Sequence, residues 1–76
     1  MSDQLLESIA AVVHDEWVSW SKELAGKEIL SNERLVRWHK MWIPYDRLPE
    51  DMKDFDRIWA RKIINTLKRN IGLRLV

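Results

Sequence analysis

The chain has no cysteine, and that one absence excludes disulfides, thiolate nucleophiles and Cys-based metal sites. Glycine occurs only at Gly26 and Gly72. Two glycines are too few for a G-x-G-x-x-G dinucleotide turn or a G-x-x-x-x-G-K-[ST] phosphate loop. Histidine is equally scarce. His14-Asp15-Glu16-Trp17 lacks the second histidine of an H-E-x-x-H zinc helix, and His39 lies in a different segment. No metal and no cofactor are expected. Serines at 2, 8, 19, 21 and 31 fall at helical or capping positions with no partner base, so the expectation is a protein that is not an enzyme. Long apolar runs are missing too. The longest is Ile9 to Val13, far short of the roughly 20 residues that cross a bilayer. The start, Met-Ser-Asp-Gln, has no basic region leading into an apolar stretch, unlike a secretory signal. The expectation is a soluble, cytoplasmic protein with no membrane partner.

What the chain does have is tryptophan, at 17, 20, 38, 42 and 59, in only 76 residues. A single domain (1–76) of that size buries about 60–65% of its unfolded surface. With no disulfide or metal, its stability rests on apolar packing or on packing against a partner subunit. Net charge is only +1 but unevenly placed. Residues 1–33 sum to −5, 34–45 to +3, 46–56 to −3, and 57–76 to +6 with no acid at all. Such segregation marks an anion-binding face, or else a helix C-terminus complementing its own dipole.

No window alternates apolar and polar residues as a strand does, and three helical windows account for most of the chain. The first runs from about Asp3 to Ala25. Leu5, Ile9, Val12, Val13, Trp17, Trp20 and Leu24 form a stripe at three- and four-residue steps, with Glu16 at its edge. Ser2 or Asp3 can cap its start and Gly26 can end it. The second window follows an N-cap at Ser31 or Asn32, places Leu35, Trp38 and Trp42 on one face, and ends before Pro44. The third opens at Pro49, with Glu50 and Asp51 in the first turn. Its stripe is Met52, Phe55, Trp59, Ile63 and Leu67, and it ends near Asn70 before Gly72. These windows predict an all-α, three-helix domain with a structured Pro-Tyr turn before the third helix.

Several side chains have two readings. Trp17, Phe55 and Trp59 lie on stripes and are expected in the core. Five indoles are hard to bury in so small a fold, so at least one of Trp20, Trp38 and Trp42 is expected at a pocket wall or subunit contact. Tyr45 either plugs the turn and caps a backbone group, or stacks on a planar base. Lys53 and Arg57, one helical turn apart, either pair with Glu50, Asp54 or Asp56 or hold a phosphate. His14 is a core-edge histidine bonded to backbone or a pocket donor.

One stretch is densest in such chemistry: Ile43-Pro44-Tyr45, Leu48-Pro49-Glu50, Lys53 and Asp56-Arg57. With His14-x-x-Trp17 and, twenty-two residues on, His39, it resembles the ryanodine-receptor (RyR) repeat domain, in particular its single-domain phage and bacterial forms. The family's G-W-x-[YF]-G loop is absent; Leu24-Ala25-Gly26-Lys27-Glu28-Ile29 stands in its place. The resemblance implies a small helical module that binds a nucleotide-type small molecule, ADP-ribose-like or a cyclic nucleotide, without converting it. A free-standing phage module of this kind would sequester a host defence signal in the host-cell cytoplasm. The candidate binding residues for that reading are His14, Trp17, His39, Tyr45, Lys53 and Arg57, which lie in the matching motifs, together with Trp38 and Trp42 as further stacking rings and Arg61 as a further phosphate contact. The alternative is a protein–protein interaction or oligomerisation module, with the tryptophans as interface anchors and a homo-oligomer as one outcome. Nucleic acid is a poor partner, because the acidic first helix opposes a phosphate backbone.

Overall fold

The structure, a computed structural model, describes residues 2–71, which form three α-helices and one turn of 3₁₀ helix joined by short connections. The first helix, α1, spans Ser2–Lys27; α2 spans Asn32–Met41; the 3₁₀ turn is Tyr45–Arg47; and α3 spans Glu50–Ile71. The fold is all-α with three helices, and no strand occurs among the described residues. Capping of α1 by Ser2 or Asp3 and the stop at Gly72 lie outside what is described.

Local chemistry sets most of the boundaries. Ser31 is extended and its hydroxyl accepts from the Arg34 N–H at 3.1 Å, satisfying a donor that has no carbonyl partner in the first turn of α2. Pro44 stops α2 from continuing, and the chain tightens at once into the 3₁₀ turn, where Arg47 N–H bonds Pro44 O at 3.0 Å. Pro49 then offers its carbonyl to the N–H groups of Met52 and Lys53 as α3 begins. Gly26 does not end α1; the helix runs through it to Lys27.

The packing differs from the stripes in one consequential respect. The wholly buried positions of α1 are Ala10, His14 and Ser21, and those of α3 include Ala60. These are small or polar residues. Ala10 and Ala60 join Tyr45 and Leu48 in one cluster, with Leu6, Ile9, Met41, Ile43 and Met52 packed around it. His14 meets Asp56 while Trp17 and Trp20 face Met52 and Phe55 across a groove, so α1 and α3 run antiparallel. Alanine at the seam lets the two helix axes approach closely. The residues expected to form the core, Phe55 and Trp59, are instead 63% and 58% exposed, with Trp20 at 55%; Val12, Ile63 and Leu67 are exposed as well. Each apolar stripe is real, but it lies about a quarter to a third of a turn away from the line of burial.

Consequently the molecule is elongated, 45 × 24 × 14 Å between Cα extremes, with a radius of gyration of 14.7 Å, where a compact domain of this length has about 11 Å. One side of the α1/α3 seam is closed by the Tyr45 turn. The other side is open.

Candidate functional site

The open side is a groove of about 520 Å³ between α1 and α3. Trp17, Trp20 and Val13 form one wall, Met52, Phe55 and Trp59 the other, and Met41 from the end of α2 lies at its margin. Trp38 buttresses the first wall, edge-on to Trp17 at 5.7 Å and tilted against Trp20 at 6.2 Å. Among the described residues, the titratable groups lining the groove are His14, Glu16 and Asp56. The walls are therefore aromatic, and the polar margin is carboxylate and imidazole rather than guanidinium or ammonium.

His14 marks where the groove meets the core. Its ring is 2% exposed, and Nε2 donates to Ile43 O at 2.8 Å. Ile43 lies between the end of α2 and Pro44, so its carbonyl has no helical partner, and the imidazole supplies one across 29 residues of sequence. Nδ1 then faces Asp56 Oδ2 at 3.4 Å. Because Nε2 carries the proton given to Ile43, this second contact is attractive only with one further proton between ring and carboxyl. Burial pushes the Asp56 carboxyl above its ordinary pKa, and the neighbouring His14 pulls it part of the way back.

On the closed side, Arg57 binds Glu7 through two parallel bonds, Nε to Oε2 at 2.7 Å and Nη2 to Oε1 at 2.6 Å. Its Nη1 reaches Asp54 at 2.9 Å and Glu50 at 3.1 Å. Tyr45 Oη donates to the same Glu7 carboxylate at 3.1 Å, and Lys53 lies 5.5 Å from the Tyr45 ring centre and 3.4 Å from Glu50. The guanidinium's hydrogen bonds hold Glu7 below the usual carboxylate range against the opposing effect of burial, and the three carboxylates hold Arg57 more firmly protonated than usual. Glu7 thus contributes stability at pH values above its ordinary 4.5, lost as pH falls through its lowered pKa.

Tyr45 behaves in the opposite sense. Burial first, and then the Glu7 carboxylate, push its hydroxyl from 10 up to about 12, so its contribution is complete below pH 10 and disappears as pH rises through about 12. Tyr45 is the only tyrosine, so tyrosinate absorbance reports on it alone. The expected result is a single titration near pH 12 coupled to loss of helix, with Tyr45→Phe lacking that alkaline component of unfolding; an ordinary midpoint near 10 would contradict the burial of its hydroxyl.

The sequence-derived site residues are thus dispersed. His14 and Trp17 line the groove, with Trp38 behind it. Tyr45, Lys53 and Arg57 form the carboxylate-bound cluster on the other side of the seam. The Tyr45 ring does plug the turn, but its hydroxyl bonds a side chain rather than backbone. His39 and Trp42 line a more open second cleft with Lys22, Ala25, Gly26 and Leu35. There the His39 ring stands edge-on to Trp42 at 4.6 Å and Lys22 sits 5.8 Å from the indole centre. Arg61 is exposed on α3 and lines neither cavity. Sequence reasoning gave no role to Glu7, which organises the polar cluster from 50 residues away, and placed Phe55 and Trp59 inside.

Among the described residues no group of three or more His, Asp or Glu side chains could hold a metal, and no helix is long and apolar enough to cross a membrane. Comparison of the chain with protein-family models, curated proteins and solved structures finds no match.

Proposed function

We propose that this chain is a non-catalytic protein-interaction module whose working surface is the groove and apolar stripes of α1 and α3. The observation that carries this reading is the exposure of Trp20, Phe55 and Trp59 along one continuous face, beside a line of burial made of alanine, serine and histidine. Exposed apolar faces of this kind are enriched at protein contacts, with tryptophan foremost among the residues that anchor them. Two of the candidate phosphate-binding cations, Lys53 and Arg57, already have carboxylate partners. A phosphate approaching them meets Glu7, Glu50 and Asp54, and one approaching the groove meets Glu16 and Asp56.

A photoreactive benzoylphenylalanine in place of Trp59 tests this in cells that express the chain. Covalent adducts to protein are expected from position 59 and not from position 15, an exposed site on another side of α1. Absence of protein adducts from position 59 would sink the proposal.

A second reading, binding of a nucleotide-type small molecule and sequestration of a host signal, is supported by the cleft that joins Trp42 to Lys22 and His39. An indole and two basic groups together suit an aromatic base carrying phosphate. Calorimetry against ADP-ribose and cyclic nucleotides tests it: saturable heat that Trp42→Ala abolishes supports it, and no heat with any of them removes it.

A further inference from the structure

Resting on the interaction reading above, we infer that the partner enters the α1/α3 groove with a basic side chain, lysine or arginine, flanked by apolar ones. Its cation lies between the aromatic walls and against the carboxylates of Asp56 and Glu16. Two independent observations select a cation: a carboxylate that lacks a donor, and walls that suit both the stem and the head of a basic side chain.

The carboxylate is that of Asp56, whose side chain is 14% exposed and lines the groove. Among the described residues its one polar partner is His14 Nδ1, at 3.4 Å. The His14 proton sits on Nε2, which donates to Ile43 O at 2.8 Å, so the neutral ring turns a lone pair toward Asp56. No lysine or arginine pairs with Asp56 or with Glu16 among the described residues. Glu7, across the seam, has what Asp56 lacks: the Arg57 guanidinium and the Tyr45 hydroxyl both donate to it. A carboxylate so far removed from water is costly to ionise without a partner. A basic side chain arriving through the groove supplies the missing donor and its charge together.

The walls are Trp17 and Trp20 on α1 and Phe55 and Trp59 on α3. No ring of one wall stacks on a ring of the other, and the space of about 520 Å³ between them is of ligand-pocket size. Aromatic faces attract cations, and the methylene stem of lysine or arginine packs along apolar surface while its head stays polar. No cation of this chain lines the groove. Those at its margins are accounted for. Lys27 pairs with Glu23 at 2.7 Å, and Lys62 rests 4.4 Å from the Trp59 ring centre, the kind of contact inferred for the partner. Arg34 lies behind the first wall, 5.9 Å from the Trp38 ring centre, and Lys40 is exposed beside Met41. Asp51, one turn before Phe55, adds an acid. Charges in contact with an occupant outweigh those screened at the rim, and here the contacting ones are Asp56 and Glu16.

Proton NMR of the tryptophan indole N–H groups of the full chain, titrated with capped tripeptides, tests the inference. The probes are Leu-Lys-Leu and Leu-Arg-Leu, and their neutral counterparts carry ε-acetyl-lysine and citrulline. The indole signals of Trp17, Trp20 and Trp59 are expected to shift with a basic peptide, at an affinity about fivefold or more above that of its neutral counterpart. Asp56→Asn is expected to fold, since it removes a buried charge and its amide can still donate to His14 Nδ1, and to abolish the preference. Glu16→Gln, at an exposed position, is expected to reduce it about twofold and serves as the measure if the first variant fails to fold. Asp15→Asn removes the same charge from another side of α1 and should leave the preference unchanged. Neutral peptides binding as well as basic ones, or no shift with any of the four at about 20 mM, overturns the inference. So does a preference that survives both groove variants, or one that Asp15→Asn removes equally. The interaction reading outlives each of these results if position 59 still forms adducts with protein, and falls only where such adducts are absent.

Discussion

His14→Ala is expected to lower the unfolding free energy by about 2–4 kcal/mol in urea titrations. A 76-residue domain has only about 4–11 kcal/mol in total, so this single change removes a large share. Three losses combine. The ring is 2% exposed, so its removal leaves a void at the seam between α1 and α3. The Ile43 carbonyl loses the donor that fixes the end of α2 to α1, and Asp56 loses the imidazole that faces it at 3.4 Å. Because burial raises the Asp56 pKa, the ionised carboxylate is a cost to the fold that is absent at low pH and grows as pH rises through that raised pKa. Removing Asp56 as well is therefore expected to return about 1 kcal/mol of what His14→Ala takes away. Full additivity of the two losses would show that the ring and the carboxylate do not act as a pair.

Trp42→Ala is expected to cost about 2–3 kcal/mol, and its effect should be concentrated on α2. That helix has ten residues and none of them is buried, and an isolated helix of such length is unstable in water. It is held to α1 chiefly through tryptophan. Trp42 Nε1 donates to Ser21 Oγ at 2.8 Å, and Ser21, wholly buried, donates in turn to Val18 O at 3.2 Å. Alanine at 42 deprives the serine of its donor and removes the ring against which His39 lies. Amide hydrogen exchange should report lost protection in Asn32–Met41, while Glu50–Ile71 keeps its own. Uniform loss across the chain would contradict the view of α2 as an element pinned at one point.

Local signals were readable where a residue's chemistry acts on its own backbone. Ser31 starts α2, Pro44 stops it, and Pro49 opens α3, all as expected from residue type. The Pro-Tyr turn before α3 was equally legible. The stripes were legible as faces and misread as core. Periodicity records where apolar side chains lie on a helix, not which side meets a neighbour. The close approach of α1 and α3 instead uses Ala10 and Ala60, whose small size leaves little hydrophobic signal. A line of small or polar residues at helical spacing, Ala10, His14 and Ser21, was the trace available in the sequence. For the polar cluster, Arg57 and Tyr45 stood out by type, but nothing in a single sequence pairs them with Glu7. Residue type alone leaves Lys53 and Arg57 open to ion pairing or to phosphate, and the ion pairs are what their surroundings contain.

On the proposed reading Trp20 and Trp59, exposed on the α1/α3 face, serve contacts outside the chain, while Trp42 serves the fold. Urea titrations of Trp59→Ala and Trp42→Ala, at concentrations where sedimentation detects only single chains, compare the two directly. The expected losses are about 2–3 kcal/mol for Trp42→Ala and less than about 1 kcal/mol for Trp59→Ala. A loss at Trp59 equal to or larger than that at Trp42 would contradict that reading and return the stripe to the core.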